Sequence, residues 1–448
     1  MEQADKHQKL RELKGWFIGL GVVAVIIVGL LVLYILAGRS ELDRKIAELK
    51  AQGIPTSFAE LEAQHKLPAG TPNAADVYLK AFAAYRPFAN ENKQDMLPIM
   101  GNRLKPEGNA PYPQEEMDVA KQFIEANQAM YDLLHQAGQI PDCAYPRDFS
   151  SSGTIFQSDV LTAIKKAAQT QALAALYYAQ QGQSQQAYDH IRDGIRLCES
   201  MSREPFLIDQ LVQISIAALC AGTTEDCLKY TSFSAEQLQD LQSQLERLRG
   251  QCDIKQAFAG EICFQLEYCA DPYNPGMAMA NTAQTRLFRM SGLFERNILR
   301  SIESTQKLMA VDELPVGQRV SRAEAIDQEV DDLSFLYFLT KIGTPSLSRV
   351  YKTNLRVRSG IDSMITGLAI ERYRLAEKKL PETLEDLVPA YLPEVYVDPF
   401  DGKPLKYRQD YPGYRVWGVG EDGIDNGGQE RDINDRQKPC DEVVRIYR

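Results

Sequence analysis

Histidine is scarce in this chain: His7, His65, His135 and His190 are the four among 448 residues. No H-E-x-x-H, G-x-S-x-G or G-x-x-x-x-G-K-[ST] string occurs, so zinc-protease, serine-elbow and phosphate-loop chemistry have no motif to rest on. Glu62 with His65 is an E-x-x-H, and Asp132 with His135 a D-x-x-H. A carboxylate-bridged di-iron bundle needs two E-x-x-H copies and two more acids on facing helices, and only one true copy is present; the histidines read as solvated or core-edge residues. Positive charge is also in deficit, with a net charge of -11. A surface of that sign repels phosphate and argues against nucleic acid as a partner. None of the eight cysteines forms C-x-x-C. Their even number permits disulfides if the body is exported, while their places in helical patterns equally fit small buried apolar residues.

One stretch lacks both charge and proline: Trp16 to Ala37, WFIGLGVVAVIIVGLLVLYILA. These 22 residues reach roughly 33 Å as a helix, enough to cross a hydrocarbon core of about 30 Å. A cleavage site would want a small residue where Ile35 stands, so the stretch reads as an uncleaved signal anchor spanning residues 16–38. Lys6, Lys9, Arg11 and Lys14 before it are matched by Arg39, Arg44, Lys45 and Lys50 after it, and the positive-inside comparison is a tie. A short basic tail ahead of one span and a large acidic remainder predict the tail, residues 1–15, in the cytoplasm. The rest is then exported from the inner membrane into the periplasm.

Beyond the span, SELDRKIAELK puts Leu42, Ile46 and Leu49 on one helical stripe and reads as a stalk, followed by a short helix to residue 66. Residues 67–345 read as an α-helical body. Within it Pro87 to Pro113 reads as a surface loop. Helical periodicity runs from Glu115 to about Leu134, from Asp159 to Gln181, from Ile208 to Leu228, onward from Ser234, from Asp253 to Tyr268 and from Gln284 to Leu308. Pro315 and Gly317 mark a turn. In ALAALYYAQQGQSQQAYDHIRDGIRL, Tyr178, the turn at Gly182, then Ala187, Ile191 and Gly194 predict two closely packed antiparallel helices. That order resembles one tetratricopeptide hairpin. Gln171 stands where the repeat's tryptophan would be, and a single repeat does not bury its own face.

The composition changes after a last long helix, Ser348 to about Glu377. Pro381 and two early acids suit a second, short helix. Strand-like runs follow at Lys403 to Arg408, Tyr414 to Val419 and Glu442 to Tyr447, with Asp410 to Gly413 joining the first two. Residues 346–448 therefore read as an α+β domain with a small antiparallel sheet, and the chain as mainly α. Between the last two strands, GEDGIDNGGQERDIND crowds acids, amides and glycines together. Calcium takes six to eight oxygens in flexible geometry. Asp422, Asp425 and Asp432 are the leading candidate ligands, with Asn426 and Asp435 behind them; a solvated acidic turn is the other reading, and the spacing is not that of an EF-hand.

The succession Leu380-Pro381, Leu384, Leu387-Val388-Pro389, Leu392-Pro393, Asp398-Pro399-Phe400, Gly402, Pro404-Leu405, Tyr407, Gly413-Tyr414, Gly420, Asp422-Gly423 and Asp432-Ile433 resembles the C-terminal part of the major pseudopilin of type II secretion. The resemblance covers roughly residues 350–435. It implies a long helix packed on a small antiparallel sheet, with structural calcium in the loop after the second strand. The chain departs from a pseudopilin in its span, where WFIGLG lacks the glutamate of a Phe-Thr-Leu-Ile-Glu-type helix, and in the long body between span and head.

These features predict a non-enzymatic structural or assembly role at the envelope, beside a type II secretion-like or pilus-like machine, with the lipid bilayer and an envelope protein as partners. Two rivals stand: a helical scaffold that holds a partner, and an exported hydrolase with an unmarked acidic site among the 61 acids.

Overall fold

The apolar stretch lies in one helix of 50 residues, α1 (Glu2–Ala51). The computed structural model describes residues 2–149, 158–251, 254–270, 288, 290–344, 347–430 and 440–447. From Trp16 to Leu36, all but Ile35 are exposed or nearly so, and this part of the helix is long and apolar enough to cross a membrane. Past Gly38 the same helix enters the body. Leu42, Ile46 and the fully buried Leu49 pack against Phe294, Ile298 and Ile302 of α12 (Leu293–Met309) and Ile262 and Leu266 of α11 (Ile254–Ala270). The stripe read as a stalk is thus a buried seam. Helices α1 and α12 run parallel: Arg39 Nε lies 3.3 Å from Glu295 at one end, and Gln306 donates to Gln52 at 3.2 Å at the other.

The body follows as α2 (Phe58–His65), α3 (Ala75–Ala83), α4 (Glu91–Asp95), α5 (Gln114–Ala126), α6 (Gln128–Gly138), α7 (Ser158–Gln180), α8 (Ser184–Glu199), α9 (Leu207–Tyr230) and α10 (Ala235–Gln251). The segment expected to be one helix from Glu115 to Leu134 breaks at Asn127. Its buried amide accepts from Arg86 N at 2.7 Å and donates to Arg86 O at 2.9 Å, satisfying a distant backbone that has no other structure there. The α7–α8 hairpin forms as its small residues predict. Gly182 takes a left-handed turn (φ 71°), and Gly194 lets α8 approach α7 and α9, where a Cβ would already touch Gln171 and Cys220 at 3.6 Å. Helix α9 is apolar enough to pass the same length test as α1, but over half of its most apolar stretch is buried; it is a core helix.

After α12, Pro315 and Gly317 open a helix instead of marking a bare turn: α13 (Val316–Asp331) begins there, since proline's fixed φ suits a first turn. A short α14 (Phe338–Gly343) leads to α15 (Leu347–Glu377). Of the expected Gln284–Leu308 helix, Phe288 and Met290 are helical among the described residues, Gly292 then turns left-handed, and α12 runs on from Leu293.

Strands β1 (Lys406–Asp410), β2 (Gly413–Gly418) and β3 (Glu442–Tyr447) form an antiparallel sheet in that order. The register runs from Lys406↔Trp417 to Asp410↔Gly413, and from Gly413↔Tyr447 to Gly418↔Glu442. The period-2 alternation turns Tyr414, Val416, Val444 and Ile446 to one face, where they join Ile361, Met364, Ile365 and Leu368 of α15 in the core. Helix α15 also packs on α9 and α10, so one apolar cluster runs from Ala74 in front of α3 through to Ile446 in β3.

Candidate functional site

Two acids organise the C-terminal module, and neither is exposed. Asp398, of the Asp-Pro-Phe run, accepts from Phe400 N at 3.0 Å and from Val419 N at 2.5 Å. Its own N–H donates to Lys403 O at 2.8 Å, and its carbonyl accepts from Gly402 N at 3.0 Å. Burial pushes its carboxyl up, against those backbone donors. Gly418 lies so close to this turn that a Cβ would come within 2.4 Å of Ser359 Oγ and 2.8 Å of Asp398 Oδ2. The Asp-Pro-Phe turn is therefore a staple between the end of β2 and helix α15.

The second organiser is Asp441, which lies just before β3 and is 3% exposed. Its carboxylate accepts from Asn426 N at 3.1 Å, Gly428 N at 2.7 Å and Gln429 N at 3.2 Å, and its N–H returns to Gln429 O at 2.9 Å. These four bonds fold the acidic loop back on itself. Sequence reasoning passed over Asp441 in favour of the acids inside the loop. The available signal was an acid at the strand entry, opposite a Gly-Gly pair whose N–H groups need an acceptor.

The five residues read as calcium ligands divide three ways. Asp422 accepts from Ile424 N at 3.0 Å and from the Asn426 amide at 3.3 Å, so these two are brought together. Asp425 turns away and accepts from Trp417 Nε1 and Gly427 N, each at 3.0 Å. Burial pushes its carboxyl up, but those two donors with Lys406 and Arg408 outweigh it and hold it low. Asp432 and Asp435 lie outside the described residues. Among the described residues no three His, Cys, Asp or Glu side chains converge as a metal would require. Both described carboxylates are thus engaged with N–H groups of the loop and of Trp417.

Neither histidine-acid spacing forms a pair. Glu62 reaches Lys66 at 2.6 Å and Asp132 accepts from Gln128 at 2.9 Å. His135 instead meets Asp193 at 2.9 Å. His65 enters a buried quartet that joins α2, the strap before residue 150 and the α8–α9 junction. Its Nε2 lies 3.0 Å from Glu204 Oε1, and Arg147 Nη2 lies 2.7 Å from Glu204 Oε2 and 3.0 Å from both Asp209 oxygens. Side-chain exposures of 5% for His65, 2% for Arg147 and Glu204 and 0% for Asp209 make this an internal cross-brace rather than a cleft. Burial alone would raise Glu204, but His65 and Arg147 hold its carboxyl below the usual range. Burial pushes Asp209 up to about 6, Arg147 opposing it and Glu204 adding to it. No family model, curated protein or solved structure matches the chain.

Proposed function

We propose that this chain is a single-span envelope protein with a structural or assembly role, working beside a type II secretion-like or pilus-like machine with its body in the periplasm. One observation carries the reading: α1 passes without interruption from bare apolar side chains at Trp16–Leu36 to the buried seam at Leu42, Ile46 and Leu49. An anchor built into the core holds the body at a fixed height and angle, which suits a part that positions others. The long helix α15 packed on a three-stranded antiparallel sheet supports the pseudopilin resemblance of the last hundred residues. Because α15 is covered by α9 and α10 as well as by the sheet, the head is presented as a fixed part of the body and not as a fibre subunit. The closed quartet offers substrate no opening, which weighs against a hydrolase at those acids.

In this reading calcium, when bound, stiffens the 420–435 loop, with Asp432 and Asp435 joining Asp422, Asp425 and Asn426. Limited proteolysis of the full chain in detergent tests that part: cuts in the loop with chelator but not with calcium support it, and equal cutting removes the metal. Deleting the chain in a bacterium that carries it tests the role. Loss of secretion or fibre assembly, restored by the full chain, supports it; unchanged secretion and assembly overturn it.

A further inference from the structure

Among the described residues, the end of the body beside the apolar span carries exposed apolar side chains. Met290 is 69% exposed, Phe335 81% and Ile342 69%, with Leu336 at 39%. Their position follows from α12, whose first turn is clamped to α1 at the top of the span. A Cβ on Gly292 would lie 3.0 Å from Ile35 Cα, the Arg296 guanidinium sits 4.1 Å from the centre of the Tyr34 ring, and Arg39 pairs with Glu295 at 3.3 Å. Asn297, in the next position and fully buried, donates to Leu336 O at 3.0 Å and accepts from Thr340 N at 3.2 Å. The segment bearing Phe335, Leu336 and Ile342 is therefore tied to the same turn of α12 that touches Tyr34 and Ile35. Beneath it Phe288 packs on Phe338 at 5.2 Å and on Phe294 at 6.4 Å, giving the patch a firm aromatic floor.

Tyr34 lies 18 residues after Trp16, roughly 27 Å along a helix, so the two rings stand about one hydrocarbon thickness apart, where interfacial aromatics collect. If Tyr34 marks the headgroup level, the turn of α12 that holds the segment bearing Phe335 and Leu336 stands beside it. Phe288, packed on both Phe294 and Phe338, links the two segments that carry the exposed residues, and exposed apolar side chains grouped in this way mark a contact surface.

We infer that the body rests on the bilayer, inserting Met290, Phe335, Leu336 and Ile342 into the interfacial layer of the leaflet from which α1 emerges. The inference rests on the reading of α1 as a membrane anchor. Lipid depth tests the two separately. The full chain is placed in nanodiscs of phosphatidylcholine and phosphatidylglycerol, with and without bromine on the acyl chains. Its two tryptophans are Trp16 and Trp417, so Trp16 reports the anchor. Phe335→Trp and Ile342→Trp, each on a Trp16→Phe background, report the patch, with the fully exposed Tyr411→Trp as control.

Bromine is expected to quench Trp16 and to remove at least half of the emission added at 335 and 342, leaving Tyr411→Trp unchanged. Quenching of Trp16 with none at 335 and 342 overturns the inference while the anchor stands. Absence of quenching at Trp16 removes the anchor itself. Shielding of positions 335 and 342 from both bromine and aqueous iodide means a protein cover, and also overturns it.

Discussion

Replacing Asp209 by asparagine is expected to leave stability nearly unchanged in acid and to raise it at neutral pH. The side chain is completely buried, accepting from Arg147 and from Phe206 N at 3.1 Å. Burial pushes its carboxyl up to about 6, against about 4 in an unfolded chain. The neutral form is thus the one the fold prefers. Below the unfolded value Asp209 is protonated in both states and the preference is fully present. As pH rises through the folded value the fold must accept the charge, and the preference is lost. Two pH units correspond to roughly 2–3 kcal/mol.

Asparagine keeps an acceptor for Arg147 and Phe206 and never ionises. The variant and the parent should therefore agree within about 1 kcal/mol near pH 4, with the variant ahead by about 2–3 kcal/mol near pH 8. Denaturant melts of both proteins at the two pH values, followed by far-ultraviolet circular dichroism, measure the difference. A variant whose disadvantage grows with pH would refute the reasoning, because it would mean that ionised Asp209 is a net stabiliser through Arg147.

Arg147→Met acts in the opposite sense: it strands Glu204 and Asp209 without their shared cation, for a loss of about 3–5 kcal/mol at neutral pH, visible in the same melts and smaller in acid. Gly260→Ala places a Cβ 2.0 Å from the carbonyl oxygen of Pro205, a backbone atom that does not yield, and should cost about 3 kcal/mol or more; an unchanged melting temperature would show that α11 and the α8–α9 junction can separate freely. Asp441→Ala removes the acceptor for three loop N–H groups, worth at least about 2 kcal/mol locally. Amide exchange at Asn426, Gly428 and Gln429 should quicken roughly 30-fold while that of α9 stays the same.

Helix existence was legible because apolar periodicity and caps are local. Ser234 and Gln237 cap α10 as their spacing suggests, each side chain accepting from the other's N–H at 3.2 and 2.9 Å. The strands were found from β-branched and aromatic alternation, and the hairpin from Asp410 and Gly413, where a Cβ would lie 2.0 Å from Ile446 O. What was missed depends on partners far along the chain. Asn127 breaks a helix in order to satisfy Arg86, 41 residues away. Glu62 and His65 share a helix face in the sequence, yet His65 answers to Glu204, 139 residues on. In the loop, the sequence points to Asp422, Asp425 and Asp432 as candidate calcium ligands, while Asp441, 15 residues from Asn426, accepts the N–H groups that fold it.

By itself the sequence determined that one helix presents a charge-free apolar length sufficient for a bilayer, that the rest is mainly helical, and that a small antiparallel sheet closes the chain. Those features follow from residue periods of 3.6 and 2 and from turn chemistry, which act over a few neighbours. Only the tertiary structure decided that the supposed stalk is a seam in the core and that Arg147 is shared by two buried acids. It also decided that the turn of α12 touching Tyr34 and Ile35 holds the segment that carries Phe335 and Leu336. Each is a matter of which distant surfaces meet, and burial energy, which is non-directional along the chain, settles that only when the helices pack.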